Sequence, residues 1–179
     1  MVEVPRSRYL VFFSLAIGGC LLDLATKSWI FSRLGLPGHD VEWLIPHYLG
    51  FQTSLNYGAL FGIGQGFGFI FVSLSLVALT GILYWLFWIK AASDWTLTVA
   101  LGGIAAGICG NGYDRLGLHG LTHQGERILA VRDWVLIQLS PEWTWPNFNI
   151  ADSLLVGGAM LLVWHAFTTP APQASRAAA

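Results

Sequence analysis

The chain has 179 residues, of which 55% are hydrophobic and 11% charged, with a formal net charge of -1. Soluble domains carry about a quarter charged residues, so the composition points to a membrane protein; the few Lys and Arg are scattered and form no basic stripe of the kind that nucleic-acid binding needs. A transmembrane helix takes roughly 20 mainly apolar residues, which leaves room for one compact membrane domain and no separate soluble one.

The first apolar run, Tyr9 to Phe31, follows Arg6 and Arg8 in the manner of a secretory leader. No small-x-small cleavage site closes it, and Asp23 and Lys27 are followed by further apolar sequence, so an uncleaved first span is predicted. The second span is predicted over Phe67 to Ile89 and the third over Trp95 to Tyr113; the short polar break KAASD between them makes the two a helical hairpin. The fourth runs from Asn149 to Phe167. Residues 1–169 thus read as a single membrane unit, and 170–179, TTPAPQASRAAA apart from its first two residues, as a disordered tail of small residues and Pro. Cys20 and Cys109 both fall inside apolar stretches, which speaks against a disulfide scaffold.

Four spans put both termini on one side and the two long connections, Ser32 to Gly66 and Asp114 to Phe148, together on the other. Charge does not orient the chain: Arg6, Arg8, Lys90 and Arg176 lie on the terminal side, Arg33, Arg115, Arg127 and Arg132 on the other. Trp43, Trp95, Trp143 and Trp145 sit near span ends, where indole favours the headgroup region. Within the first connection the alternation in FQTSLNY predicts a short strand.

Charges are expensive in hydrocarbon, so ionisable residues in or at the edge of a span are functional candidates. Asp23, Lys27, Asp114, Asp133 and Asp152 are such residues, and the topology gathers them at one membrane face. Each has a plainer reading except one. Asp23 and Lys27 have the spacing and order of a helical ion pair, Asp114 has Arg115 beside it, and Asn149 with Asp152 has the form of an N-cap and its N3 acid. Asp133, in VRDWVLI, is flanked by apolar residues and has no sequence-local partner except Arg132 or Arg115.

No HExxH supplies a zinc pair and no GxSxG supplies a nucleophile elbow. His119 and His123 read as solvated loop residues, His165 as interfacial. Paired carboxylates remain, and one ionised with one protonated suffices for peptide hydrolysis without metal, cofactor or covalent intermediate. The same carboxylates would also serve a small transporter or ion-binding module, which would move a proton or cation without cleaving peptide.

The motifs DLATK (Asp23 to Lys27), NYGALF (Asn56 to Phe61), GICGNGYDR (Gly107 to Arg115), VRDW (Val131 to Trp134) and FNIAD (Phe148 to Asp152) together resemble the lipoprotein signal peptidase (signal peptidase II) family, in the family's order. The resemblance implies an all-α membrane protein of four transmembrane helices with a small extramembrane β-cradle and an amphipathic helix, both termini cytoplasmic, in the bacterial inner membrane. It implies Asp133 and Asp152 as the catalytic pair, with Asp23, Lys27, Asn56, Gly110, Asn111, Asp114, Arg115, Asn149 and Ala151 as supporting residues and no metal. The implied partners are a prolipoprotein bearing diacylglyceryl-Cys, membrane lipid and a globomycin-type inhibitor, and the implied reaction is cleavage just before that Cys near the outer face. Leu60 stands where the family usually has a small residue, and the stretch from Arg115 to Val131 is longer than usual there. Intact Asp133 and Asp152 argue against a catalytically silent lipoprotein-binding relative.

Overall fold

A computed structural model describes residues 3–58 and 64–169. Helix α1 spans Arg6–Leu34 and stops at Gly35, whose φ of 76° turns the chain out of the helix while its N–H still bonds Phe31 O. Strands β1 (Glu42–Ile45) and β2 (Leu49–Asn56) follow. Helix α2, Gly68–Leu83, runs on through a π-helical turn, Tyr84–Trp88, to the expected polar break, where Lys90 takes the left-handed conformation. Helix α3 is Trp95–Arg115, with Asp94 as N-cap accepting from Leu97 N. Strands β3 (Thr122–His123) and β4 (Glu126–Arg127) form a small hairpin, β5 is Val131–Ser140, β6 is Trp143–Phe148, and α4 is Ile150–Thr168. The predicted tail, 170–179, lies outside the described residues, as does Leu60.

Among the described residues three helices are long and apolar enough to cross a membrane: Arg6–Leu34, Gly68–Trp88 and Ile150–Thr168. They carry large apolar side chains outward, such as Leu10, Leu21, Phe69, Val77, Met160 and Phe167, a surface that lipid rather than water solvates. Helix α3 is 21 residues long but built of small residues, and it packs against α1, α2 and α4. Being covered by its neighbours it has no need of bulky lipid-facing side chains, and the close packing follows membrane-helix rules. A Cβ on Gly107 would lie 2.5 Å from Ala151 O, and one on Gly110 would run into the Asp23 carboxylate.

The predicted strand is β2, in a four-stranded antiparallel sheet of order β1-β2-β5-β6. Between the ends of α1 and α3 and the next helices, the described residues of the two long connections hold strands and turns; residues 59–63 of the first connection, where the expected amphipathic helix could also fall, lie outside the described residues. In the second connection Gly117, Gly120 and Gly125 all take positive φ, which breaks any helical run there. α1, about 43 Å long, exceeds the roughly 30 Å hydrocarbon thickness, and its last turns meet the sheet. There Ile30 and Phe31 pack with Trp134, joined by Phe51, Leu55 and Ile150. A second apolar cluster, Phe12, Ala16, Ile82, Leu86, Ala92, Leu101 and Ala105, fills the other end of the bundle. Along α1 the buried polar residues Asp23 and Lys27 fall between the two.

Gly107→Val is expected to separate α3 from α4 and lower stability by about 1–3 kcal/mol, read as a lower thermal midpoint in detergent. Gly157→Ala, whose Cβ would meet nothing within 4 Å, is expected to leave that midpoint in place.

Candidate active site

Four chain segments supply the polar layer. α1 places Asp23 and Lys27 one turn apart, 2.7 Å between Oδ2 and Nζ, both fully buried. α3 brings Asp114, whose Oδ2 lies 3.2 Å from Lys27 Nζ, and Asn111, whose Oδ1 accepts from Lys27 Nζ at 2.9 Å. β5 brings Arg132, which donates to Asp114 Oδ1 from Nε and Nη2 at 3.1 and 2.8 Å, while its backbone N–H donates to Asp114 Oδ2 at 3.0 Å. Arg132 also reaches Ser28 Oγ at 3.3 Å. α4 joins through its first turn, where Ala151 N donates to Asp23 Oδ1 at 2.9 Å. Two acids and two bases thus close a buried, formally neutral set, as burial of charge demands.

The expected pairing of Asp114 with Arg115 is not what forms. Asp114 binds Lys27 and Arg132, and Arg115 turns to the rim, donating to Gly58 O at 3.1 Å with its guanidinium 5.2 Å above the Phe71 ring. Adjacent strand residues point to opposite faces, so Arg132 faces α1 and α3 and leaves Asp133 to the other side. Sequence reasoning offered Arg132 only as a partner of Asp133 and missed its bond to Asp114; the alternation of side-chain directions along a strand was the signal available for it.

Asp133 and Asp152 are brought together by Asn149. Its Nδ2 donates to Asp133 Oδ1 at 2.6 Å, its Oδ1 accepts from Asp152 N at 2.9 Å, and its backbone N–H donates to Asp152 Oδ2 at 3.2 Å. The last two bonds are the capping box expected from FNIAD, so capping and carboxylate placement are one arrangement. Asn111 Nδ2 donates to Asp152 Oδ1 at 2.8 Å. Since Lys27 can only donate, Asn111 must present its oxygen to Lys27 and its NH₂ to Asp152. Asp133 is buried and Asp152 half-buried. Burial foremost, then the charge of Asp152, pushes Asp133 up from the ordinary 3.8 to about 7, against the pull of Asn149, Lys27 and Asn56.

Of the remaining expected residues, Gly110 admits the Asp23 carboxylate against α3. Asn56 ends β2 opposite Val131 and accepts from Gly58 N at 3.0 Å; the rest of NYGALF, 59–61, lies outside the described residues. Arg115 is close enough to Asp152 and Asp133 to interact with both. His119 is not solvated: it is half-buried, its Nδ1 accepts from Leu121 N at 3.0 Å, and burial holds its pKa below the ordinary value. His123 is exposed. His165 stands far from this layer, its Nε2 3.5 Å from Asp94 Oδ2. Among the described residues no group of three or more His, Cys, Asp or Glu is arranged to hold a metal ion.

The family model described as signal peptidase (SPase) II matches residues 15–168. The chain belongs to the signal peptidase II family. It is 52% identical over 167 residues to the lipoprotein signal peptidase of Rhodopirellula baltica, covering 91% of this chain and 74% of that protein. It is 31% identical to the lipoprotein signal peptidase of Pseudoalteromonas atlantica, covering 93% and 95%. A solved structure described as a bacterial membrane enzyme superimposes with a TM-score of 0.71 at 27% identity, over 92% of this chain and 90% of that one. As a signal peptidase II the protein is a membrane protease, and the buried carboxylate layer lies within the matched residues.

Lys27→Met would leave Asp23 without its ion-pair partner and Asp114 with one cation instead of two, and it is expected to cost about 3–5 kcal/mol, measured by thermal unfolding in detergent. Asp23→Asn added to it is expected to recover part of that loss, because the Asn oxygen still accepts from Ala151 N while the surplus charge is gone.

Proposed function

We propose that this signal peptidase II is an aspartyl endopeptidase that removes signal peptides from bacterial prolipoproteins whose Cys bears diacylglycerol, cutting just before that Cys. The observation that carries the reading is Asn149, whose side-chain amide donates to the Asp133 carboxylate and whose backbone N–H donates to the Asp152 carboxylate. Residues 1–169 form one membrane unit of four spans, α3 being the small-residue span at its centre. Both termini face the cytoplasm, and the carboxylates lie near the outer face of the inner membrane.

The hydrogen bonds divide the work. Asp152 takes donated bonds on both oxygens and sits at a helix N-terminus, so it carries the negative charge. Asp133 accepts on Oδ1 and holds the shared proton on Oδ2. Asp152 takes a proton from the attacking water while Asp133 donates to the scissile carbonyl oxygen; the new C–O bond forms as that oxygen gains charge. Collapse breaks the C–N bond, the amine of the lipidated Cys takes the proton from Asp152, and Asp133 recovers its own. Lys27, through Asn111, and Arg115 supply positive potential to the developing charge.

Purified protein is expected to cleave a diacylglyceryl prolipoprotein in detergent before the lipidated Cys, and Asp133→Asn and Asp152→Asn, each folded, are expected to abolish cleavage. Full activity in either variant would remove that residue from the chemistry. A globomycin-type cyclic peptide is expected to inhibit the wild type.

The pH dependence has a defined sign. The folded-state pKa of Asp133 is raised, so its stabilising contribution is full below the ordinary 3.8 and is lost as pH rises through about 7. The general acid is lost over the same upper limb. kcat is therefore expected to fall above about pH 7; a rate flat to pH 9 would show that no proton on Asp133 is needed.

A further inference from the structure

We propose that Ser54, the cross-strand neighbour of Asp133, is a second hydrogen-bond donor to the scissile carbonyl oxygen, acting beside the Asp133 acid as charge develops there. The inference rests on the aspartyl-peptidase reading above and adds to it a residue outside the motifs that carry the resemblance.

An irregularity in the sheet puts Ser54 in that place. Phe51 pairs with Val135 and Ser54 with Asp133, so β2 advances three residues while β5 advances two. In an unbroken ladder Thr53 would oppose Asp133. The extra residue hands that position to Ser54, in the way that bulges beside active sites re-aim side chains. Thr53 is buried instead, and Ser54 is half-buried, within reach of an incoming chain.

Directly paired residues share a face of the sheet, with Cβ atoms about 4.5–5.5 Å apart. Ser54 therefore stands on the face that carries Asp133. Asn56, two residues on and paired with Val131, has the same side, and it is close enough to hydrogen-bond Asp133. Asn149 follows β6 and holds Asp133 Oδ1 from that edge of β5, whereas β2 runs along the other edge. The oxygen left for the substrate, Oδ2, thus lies away from Asn149 and towards the β2 side.

The hydroxyl is available for this use. Asn56 Oδ1 accepts from Gly58 N and Asp133 Oδ1 from Asn149 Nδ2, while among the described residues Ser54 Oγ has no partner. A scissile oxygen bonded to the Asp133 acid lies about 2.7 Å from Oδ2, within reach of a hydroxyl whose Cβ is that near. The oxygen has two lone pairs and gains negative charge before the proton has crossed to it. A fixed second donor stabilises that charge with little reorganisation at the moment of reaction. No proton leaves Ser54: it donates a hydrogen bond while Asp133 gives up its proton and later recovers it.

The test measures kcat and KM of the full-length protein in detergent on a diacylglyceryl prolipoprotein, for the wild type and for Ser54→Val, Ser54→Ala and Ser54→Thr. Val and Thr share a shape and differ in the hydroxyl, so that pair isolates the group in question. Ser54→Val and Ser54→Ala are each expected to lower kcat roughly a hundredfold and to leave KM within about twofold, the mark of an interaction made only in the transition state. Ser54→Thr is expected to recover about tenfold or more over Ser54→Val, and the upper limb of the pH profile is expected to stay in place in all three. Should Ser54→Val misfold, Ser54→Ala, which removes a single oxygen, carries the comparison. Wild-type kcat in the folded Val or Ala variant would overturn the donor role and leave the peptidase reading standing. A displaced pH limb, which would put the bond on Asp133 itself, or a rise in KM alone would do the same. Full activity of a folded Asp133→Asn would overturn both.

Discussion

The structure depends on a charged side chain held entirely inside it. Lys27 is fully buried in a protein whose spans face lipid, and an ammonium there is stable only if its charge and its donors are all met. Asp23, Asp114 and Asn111 meet them, and each comes with a helix attached. Satisfying one cation therefore fixes the depth and rotation of α1 against α3. Asp23, in turn, holds the first turn of α4 through Ala151 N. Apolar packing above and below gives cohesion, but apolar contacts between membrane helices are weakly directional, and it is the polar layer that selects a single register.

The sheet extends that order to the chemistry. Arg132 bolts β5 to α3 through Asp114, and strand alternation then delivers Asp133 to the opposite side, where α4 begins. One strand thus carries a structural cation and the proposed general acid on consecutive residues. Asn149 closes the arrangement by starting a helix: its side-chain amide donates to the Asp133 carboxylate and its backbone N–H to the Asp152 carboxylate. Removing any of these bonds changes both the fold and the proton balance, so the two are not separable by inspection of a single residue.

Much of this was legible in the sequence. The helices follow their apolar runs closely, because lipid and core both reward apolar side chains, and the cap at Asn149 is a local pattern that needs no tertiary information. The Asp23 and Lys27 pair was visible for the same reason. Its completion was not: Asp114 and Arg132 are 87 and 105 residues beyond Lys27, and Arg115, adjacent in sequence, was the more obvious partner for Asp114. The sheet was only partly visible, since β2 alternates clearly while the charged and aromatic residues of β5 and β6 acquire their sides only through pairing. His119 looked solvated because its loop is polar; the fold turns one ring nitrogen back onto Leu121 N. The amphipathic helix came from resemblance alone; the described residues of the connections hold strands, and 59–63 lie outside the described residues.

The order of the buried charges along the chain bears on how the protein enters its membrane. Asp23 and Lys27 arrive on the same helix, one turn apart, and neutralise each other before any other span exists. Asp114 comes next, near the end of α3, and finds Lys27 already in place. Its surplus negative charge is then cancelled by Arg132, the next buried ionisable residue to be synthesised. The nascent polar layer runs from neutral to one negative to neutral again, so at no stage of insertion does the bilayer have to shelter more than one unmatched charge.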